Sequence, residues 1–292
     1  MKYTFQNIIG TFILNDEFRI VGTAKEENKA NKPVPPKDLP LVLSQFKDKK
    51  FYSEFYQKNL ALTKKEVKDS VSPDQLIMQA ISNLSELDRA SNMLSKRLRE
   101  WYGLYLPELS NNITDHEVFA RIVVEKNKKQ LMSEFNLRET IGSDLTKEDV
   151  EEIIFLAREI SNLYELRKKH EEYLKKVMSK YCQNLLELAG VTIGAKLIEL
   201  GKGLKRLATM PASTIQLLGA EKALFRHIKT GSKSPKYGII INHPLIMQSG
   251  KDNKGKAARM LADKLSLCAR LDYFKGGFKA KEYYKELEEK LK

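Results

Sequence analysis

The stretch "TKEDVEEIIFLAREISNLYELRKKHEEYLKKVMSKYCQNLLELAG", Thr146 to Gly190, holds no proline, and its only glycine is its last residue. Ile153, Leu156, Ile160, Leu163, Leu174, Val177, Tyr181 and Leu188 fall on heptad positions, with Arg167 and His170 interrupting the seam. The pattern predicts one long helix, a rod on the order of 60 Å at about 1.5 Å per residue. A small domain cannot cover such a rod, so it should pair in an antiparallel hairpin with the helix before it. It should also pair with a second copy of the chain through Ile153, Leu156, Ile160, Leu163, Leu174, Val177 and Tyr181. The competing reading is a helix of an ordinary bundle. His170 reads as a polar register device rather than a metal ligand, because no second His or Cys stands at ligand spacing.

Upstream, Thr114 stands three residues before Glu117, a capping box that should open a helix running to about Phe135. "WYGLYLPEL", Trp101 to Leu109, reads as a packed aromatic hinge. Before it, Pro73 to Glu100 has a helical apolar face of Leu76, Ala80, Leu84, Leu87 and Leu94. Leu39 to Phe46 and Phe51 to Leu60 are further apolar elements. The chain opens on two expected strands, "YTFQNIIGTFIL" and "FRIVGTA", joined by an "NDE" turn. A polar loop, "KEENKANKPVPPKD", follows them.

Charge divides the chain more sharply than hydropathy does. Residues 191–292 contain 17 Lys and 4 Arg against 9 Asp or Glu, +12 of the total +13, which leaves +1 for the first 190 residues. Adaptation of a whole proteome to harsh conditions would spread both signs; a local excess produces a field that attracts polyanions. Cys182 and Cys268 lie far apart with no C-x-x-C neighbour, which fits free buried thiols in a reducing compartment. No apolar run approaches the roughly 18 residues of a membrane span. The opening segment is interrupted by Gln6 and Asn7 and lacks a cleavage site for secretion. These features describe a soluble cytoplasmic protein.

Within the basic segment Gly194, Gly201, Gly203, Pro211 and Gly219 punctuate short helices. After Gly219, Leu224, Phe225 and Ile228 should face inward, while Lys222, Arg226 and Lys229 share the opposite face. From about Lys254 to Phe274 a second amphipathic helix should bury Ala257, Met260, Leu261, Leu265, Cys268 and Leu271. It leaves Lys256, Arg259 and Arg270 near the polar side. Gly250, Gly255 and Lys256 have the spacing of a nucleotide-phosphate loop. Ala257 follows in place of the Ser or Thr that would hold magnesium, and no buried strand leads into the loop. The residues therefore leave a basic loop in place of a nucleotide-hydrolysing site. There is no G-x-G-x-x-G after a strand, no paired carboxylates and no Ser/His/Asp arrangement. An enzyme is disfavoured, and no cofactor or metal is expected.

"GAEKALFR" (Gly219–Arg226), "PKYG" (Pro235–Gly238), "HPLI" (His243–Ile246) and "GKAARMLADKLSLCARLDYF" (Gly255–Phe274) resemble the signature blocks of the Nop domain. "WYGLYLPEL" and the helical hairpin stand in their expected places. The resemblance is closest to the short archaeal form of the box C/D ribonucleoprotein scaffold, a relative of the eukaryotic nucleolar Nop proteins. Where that family commonly has Arg-Gly-Lys, this chain has Lys254-Gly255-Lys256, which keeps the charge but loses the guanidinium fork.

The resemblance implies a mainly α protein in three parts. These are an α/β module over 1–112 that binds the methyltransferase fibrillarin, a coiled-coil dimerisation hairpin over 113–190, and an all-helical basic Nop domain over 191–292. It implies a scaffold for RNA-guided 2′-O-methylation of rRNA or tRNA. RNA contacts are expected at Lys222, Arg226, Lys229, His243, Lys254, Lys256 and Arg259, with His243 stacked on a flipped-out base or, alternatively, capping its own turn. Gly219, Ala220, Glu221 and Phe225 are expected to meet a kink-turn-binding ribosomal-type protein. The alternative function is a Nop-domain factor of another RNA assembly, such as a splicing particle.

Overall fold

The computed structural model describes residues 2–24 and 32–291, so the first half of the expected polar loop lies outside the described residues. The chain divides into two compact units, Met1–Ser72 and Pro73–Lys292.

In the first unit β1 (Tyr3–Gln6), β2 (Thr11–Leu14), β3 (Ile20–Ala24) and β4 (Lys32–Pro33) form a sheet of order β3-β2-β1-β4. All pairs are antiparallel except β1 with β4. The single first strand expected from the sequence is two. Asn7 breaks it, its side-chain oxygen accepting from the backbone N–H of Ile9 and Gly10 at 2.9 and 3.2 Å. Asn15 repeats the device for Glu17 and Arg19. Helix α1 (Leu39–Gln45) locks onto the second turn, where the Gln45 amide donates to Phe18 O and accepts from Ile20 N. Phe12, Phe46 and Phe51 pack edge-on or tilted at 4.8 to 5.9 Å. Helix α2 (Lys49–Asp69) starts from an Asp48 cap and buries none of its residues.

In its described residues the second unit forms helices joined by turns and loops, with no strand. It comprises α3 (Pro73–Tyr102), α4 (Pro107–Asn112), α5 (His116–Glu125), α6 (Lys128–Glu134), α7 (Lys147–Tyr181), α8 (Gln183–Gly201), α9 (Leu204–Thr209) and α10 (Ala212–Leu217). It continues with α11 (Glu221–Thr230), α12 (Pro244–Met247), α13 (Lys254–Tyr273) and α14 (Ala280–Leu291).

A Thr146–Asp149 capping box opens α7. Its most extensive partner is α3, which runs antiparallel to it: Asn83 meets His170 at 2.6 Å and Asp88 meets Arg167 at 2.6 Å. The expected partner, α5, packs on α7 as well. It is shorter than expected, because it starts from an Asp115 cap rather than Thr114 and stops at Lys126. A new capping box, Asn127 with Gln130, then opens α6.

The long helix also ends early, at Cys182 rather than Gly190. Cys182 has φ −144 and ψ 67, and Asp272 of α13 caps the restart of the chain as α8. Leu76, expected to be buried on α3, is exposed, and Ile77 and Ile81 are buried in its place.

These helices surround two apolar cores. One joins Leu98 and Tyr102 of α3, Phe119, Ala120 and Val123 of α5, and Ile153, Ala157 and Ile160 of α7. Beside it Arg99 acts as a clasp: it donates to His116, Ser110 O, Thr114 O and Asp115 O while lying 4.3 Å over the Phe119 ring. The other core joins the first half of α3 and the end of α7 to α8, α9, α10, α12, α13 and α14. Cys182 and Cys268 are free thiols buried in it; burial pushes the Cys268 thiol up to about 12. These thiols remain protonated at neutral pH.

Candidate nucleic-acid interface

The seven residues expected to touch RNA fall into three environments. On α11, Lys222, Arg226 and Lys229 are exposed, as expected. Phe225 and Ile228, expected to face inward, are 69% and 71% exposed, and the helix buries no residue at all. With only Leu224 and His227 partly covered, this ten-residue helix presents both its cations and its apolar side chains to solvent. Gly219 starts it in the left-handed region, φ 87, and donates to Glu221 Oε1 at 2.8 Å. An L side chain would be strained there and would crowd Ile239.

The quoted blocks meet next to this start. Gly238 N donates to Gln216 O and Ile239 N to Leu218 O, both at 2.7 Å, while Gln216 Nε2 donates to Lys236 O at 2.6 Å. A Cβ on Gly238 would lie 1.9 Å from Leu218 O, so only glycine permits the approach. Lys236 in turn reaches within 3.6 Å of where a Cβ on Gly255 would stand.

The second environment is the start of α13. Gly250 O accepts from Asn253 N and Lys254 N at 2.9 and 3.1 Å, folding the loop directly into the helix. The run "GIIIN" that precedes it is a 3-10 turn over Ile239–Asn242, not a strand. The first turn of α13 carries Lys254 and Lys256, and Arg259 follows on the next turn. Cations at a helix N-terminus add to the positive end of its dipole, a combination that favours a bound anion. None of these six cations makes an ion pair within the described residues.

His243 is different. It is 3% exposed; its Nε2 lies 2.8 Å from Leu188 O, and its Nδ1 accepts from Leu245 N at 3.3 Å to cap α12. Leu188 precedes Gly190, whose φ of 76 and ψ of 172 interrupt α8. Burial holds the imidazole pKa below its ordinary value, offset in part by the Leu188 carbonyl. The neutral ring uses both nitrogens on backbone, and with the residue only 3% exposed no ring face is open to a base in this conformation. The geometry is that of the turn-capping alternative.

The residues expected at the dimer seam are covered by their own chain. Ile153, Ile160 and Leu174 have no exposed surface, and Leu156, Leu163, Val177 and Tyr181 are partly covered. The apolar residues that α7 does expose are Phe155, Leu166 and Tyr173, at 54%, 40% and 44%. Spacings of eleven and seven return them to one face at 3.6 residues per turn. Heptad reading missed this face because it assigned the richer stripe to a second copy instead of to α3.

Residues 83–292 match the family model described as Nop, snoRNA binding domain, fibrillarin. An uncharacterized NOP5 family protein of Methanocaldococcus jannaschii is 42% identical over 261 residues, 82% of this chain and 63% of that protein. Nucleolar protein 58 of Schizosaccharomyces pombe is 39% identical over 215 residues, 68% of this chain and 42% of that one. The chain thus spans less than two thirds of the length of these relatives. A crystal structure of a fibrillarin/Nop5p complex contains a chain of the same fold, with TM-score 0.50 and 24% identity over 99% of this chain and 100% of that one. With the family model matched over well more than half of its residues, the chain belongs to the Nop family.

Proposed function

We propose that this chain is a non-catalytic scaffold of a box C/D ribonucleoprotein. It joins fibrillarin to a guide RNA and to the kink-turn-binding protein on that RNA, for 2′-O-methylation of rRNA or tRNA. The observation that carries the reading is α11, which pairs unneutralised Lys222, Arg226 and Lys229 with exposed Phe225 and Ile228. An exposed ring such as Phe225 can stack on a base, but the aliphatic Ile228 cannot, and an apolar patch that includes it among the cations suits a joint protein–RNA surface. The start of α13 supplies a second phosphate-contacting point.

The first unit, with an exposed apolar face on α2, is assigned to fibrillarin. Self-association is assigned to the Phe155, Leu166 and Tyr173 face of α7. The three-part division at 112 and 190 is retained as a functional scheme, with α3 contributing to the cores that support the RNA-facing helices. Methyl transfer with guide and target RNA tests the whole: none is expected from this chain alone, and site-specific transfer is expected once fibrillarin and the kink-turn protein are added. Transfer by the isolated chain would overturn the scaffold reading.

A further inference from the structure

A recess of about 210 Å³ lies where α7 passes into α8, closed on its other side by the turn between α13 and α14. Its volume suits a nucleobase with part of its ribose. Its walls are aromatic, amide and cationic: Tyr181 and Phe278, Gln183, and Lys180 and Lys275. Asp272 also borders it, but both carboxylate oxygens are occupied by Asn184 N, Asn184 Nδ2 and Leu185 N at 2.8 to 3.0 Å. That carboxylate is turned to the helix start and does not offer a cation site.

The turn that closes the recess is held in place. Lys275 adopts a left-handed φ of 57, Gly276 N donates to Leu271 O at 2.7 Å, and a Cβ on Gly276 would fall 2.7 Å from the Leu271 side chain. The Lys275 ammonium sits 5.2 Å over the Tyr181 ring. This fixed turn carries two exposed aromatics, Phe274 at 70% and Phe278 at 47%. Within the described residues Phe278 makes no ring contact and the Gln183 carboxamide has no hydrogen-bond partner.

We propose that this recess binds one unpaired nucleotide of a single-stranded RNA segment. Phe278 stacks on the base, Gln183 meets its polar edge, and Lys180 and Lys275 neutralise the flanking phosphates. The proposal rests on the RNA-binding reading and adds a site at the opposite end of α13 from Lys254, Lys256 and Arg259. RNA is favoured over an apolar protein segment because the exposed rings are interleaved with Lys275 and Lys279 in the segment that carries +12.

The test uses the full chain and a fluorescent single-stranded oligonucleotide of mixed sequence, with binding measured by anisotropy across a salt series. Phe278→Ala combined with Gln183→Ala should weaken binding at least about fivefold with the log–log salt slope unchanged, since stacking carries no counterion term. Phe278→Trp should keep the affinity, and a perfect duplex of the same sequence should not respond to either variant. Binding that the double alanine variant leaves unaltered would overturn this site alone. Absence of binding by the unmodified chain would overturn the site and the RNA reading together. Equal loss for duplex and single strand would also overturn it, because that is the signature of a damaged fold.

Discussion

The carboxylate of Asp272 accepts from the backbone N–H groups of Asn184 and Leu185 at 3.0 and 2.8 Å, so that a residue near the end of α13 caps the start of α8. The relay continues, for Asn184 Oδ1 accepts from Lys279 N and Ala280 N at 2.7 and 3.1 Å and caps α14. Two helix starts far apart in sequence thus depend on one buried polar pair. Asp272→Ala should cost about 2–4 kcal/mol, combining a lost cap with buried donors left unpaired. Urea unfolding checks it; a loss below about 0.5 kcal/mol would show that water replaces the carboxylate.

For α7 two substitutions should behave in opposite ways. Ile160→Asp puts a charge into a position with no exposed surface and should unfold the helix pair. Phe155→Asp with Tyr173→Asp should leave circular dichroism unchanged and convert a dimer to a monomer in light scattering. A monomeric unmodified chain at micromolar concentration would remove self-association from the proposed function.

RNA affinity should fall with salt, and Lys222→Ala with Arg226→Ala should reduce the log–log slope by about 0.7 to 0.9 for each phosphate left without its cation. Phe225→Ala should leave that slope alone and instead weaken recruitment of the kink-turn protein. A changed slope for Phe225→Ala would contradict the division between the two kinds of side chain.

Acid should weaken the fold through His243. Its folded pKa lies below the usual 6.5, burial being the main cause. Below about 6.5 the unfolded chain therefore takes up a proton that the folded chain refuses. Stability from this residue is complete above 6.5 and declines as the pH falls through and below that value. His116, held low by burial and then by Arg99, adds in the same direction. Denaturant midpoints at pH 7.5 and 5.5 should differ less in His243→Gln than in the unmodified chain. An equal difference would assign the effect elsewhere.

Deleting residues 1–72 should abolish fibrillarin retention in a pull-down while RNA binding persists. The cut falls between the two compact units and leaves α3 in place. A cut after residue 112 should instead give an insoluble product, because it removes Ile77, Ile81, Leu84 and Leu98 from both cores.

Periodicity reveals α3, α7 and α13, where apolar stripes run for many turns. It cannot say which helix covers which stripe, and so Ile160 looks open to a second copy although α3 and α5 already bury it. The break at Cys182 is not legible because no glycine or proline marks it; its cause, Asp272, lies ninety residues downstream. Phe225 and Ile228 look like core by spacing alone, and only the absence of a neighbouring layer exposes them. The cations of α11 and α13 are legible because charge needs no partner to be recognised. Phe278 and Gln183 carry no pattern, and only the fold brings them to one recess.

The helix pair α3 and α7 belongs to both apolar cores, and between them its middle carries Asn83 against His170 and Asp88 against Arg167, with Leu87 the one buried leucine of residues 85–90. Such a waist offers little hydrophobic resistance to local opening, so each end of the pair melts with its own core. Amide exchange should accordingly sort this single pair of helices into two protected blocks with a faster segment around residues 85–90 and 165–171. Two such blocks would make the rod a jointed beam, one that flexes between its ends without loss of either core.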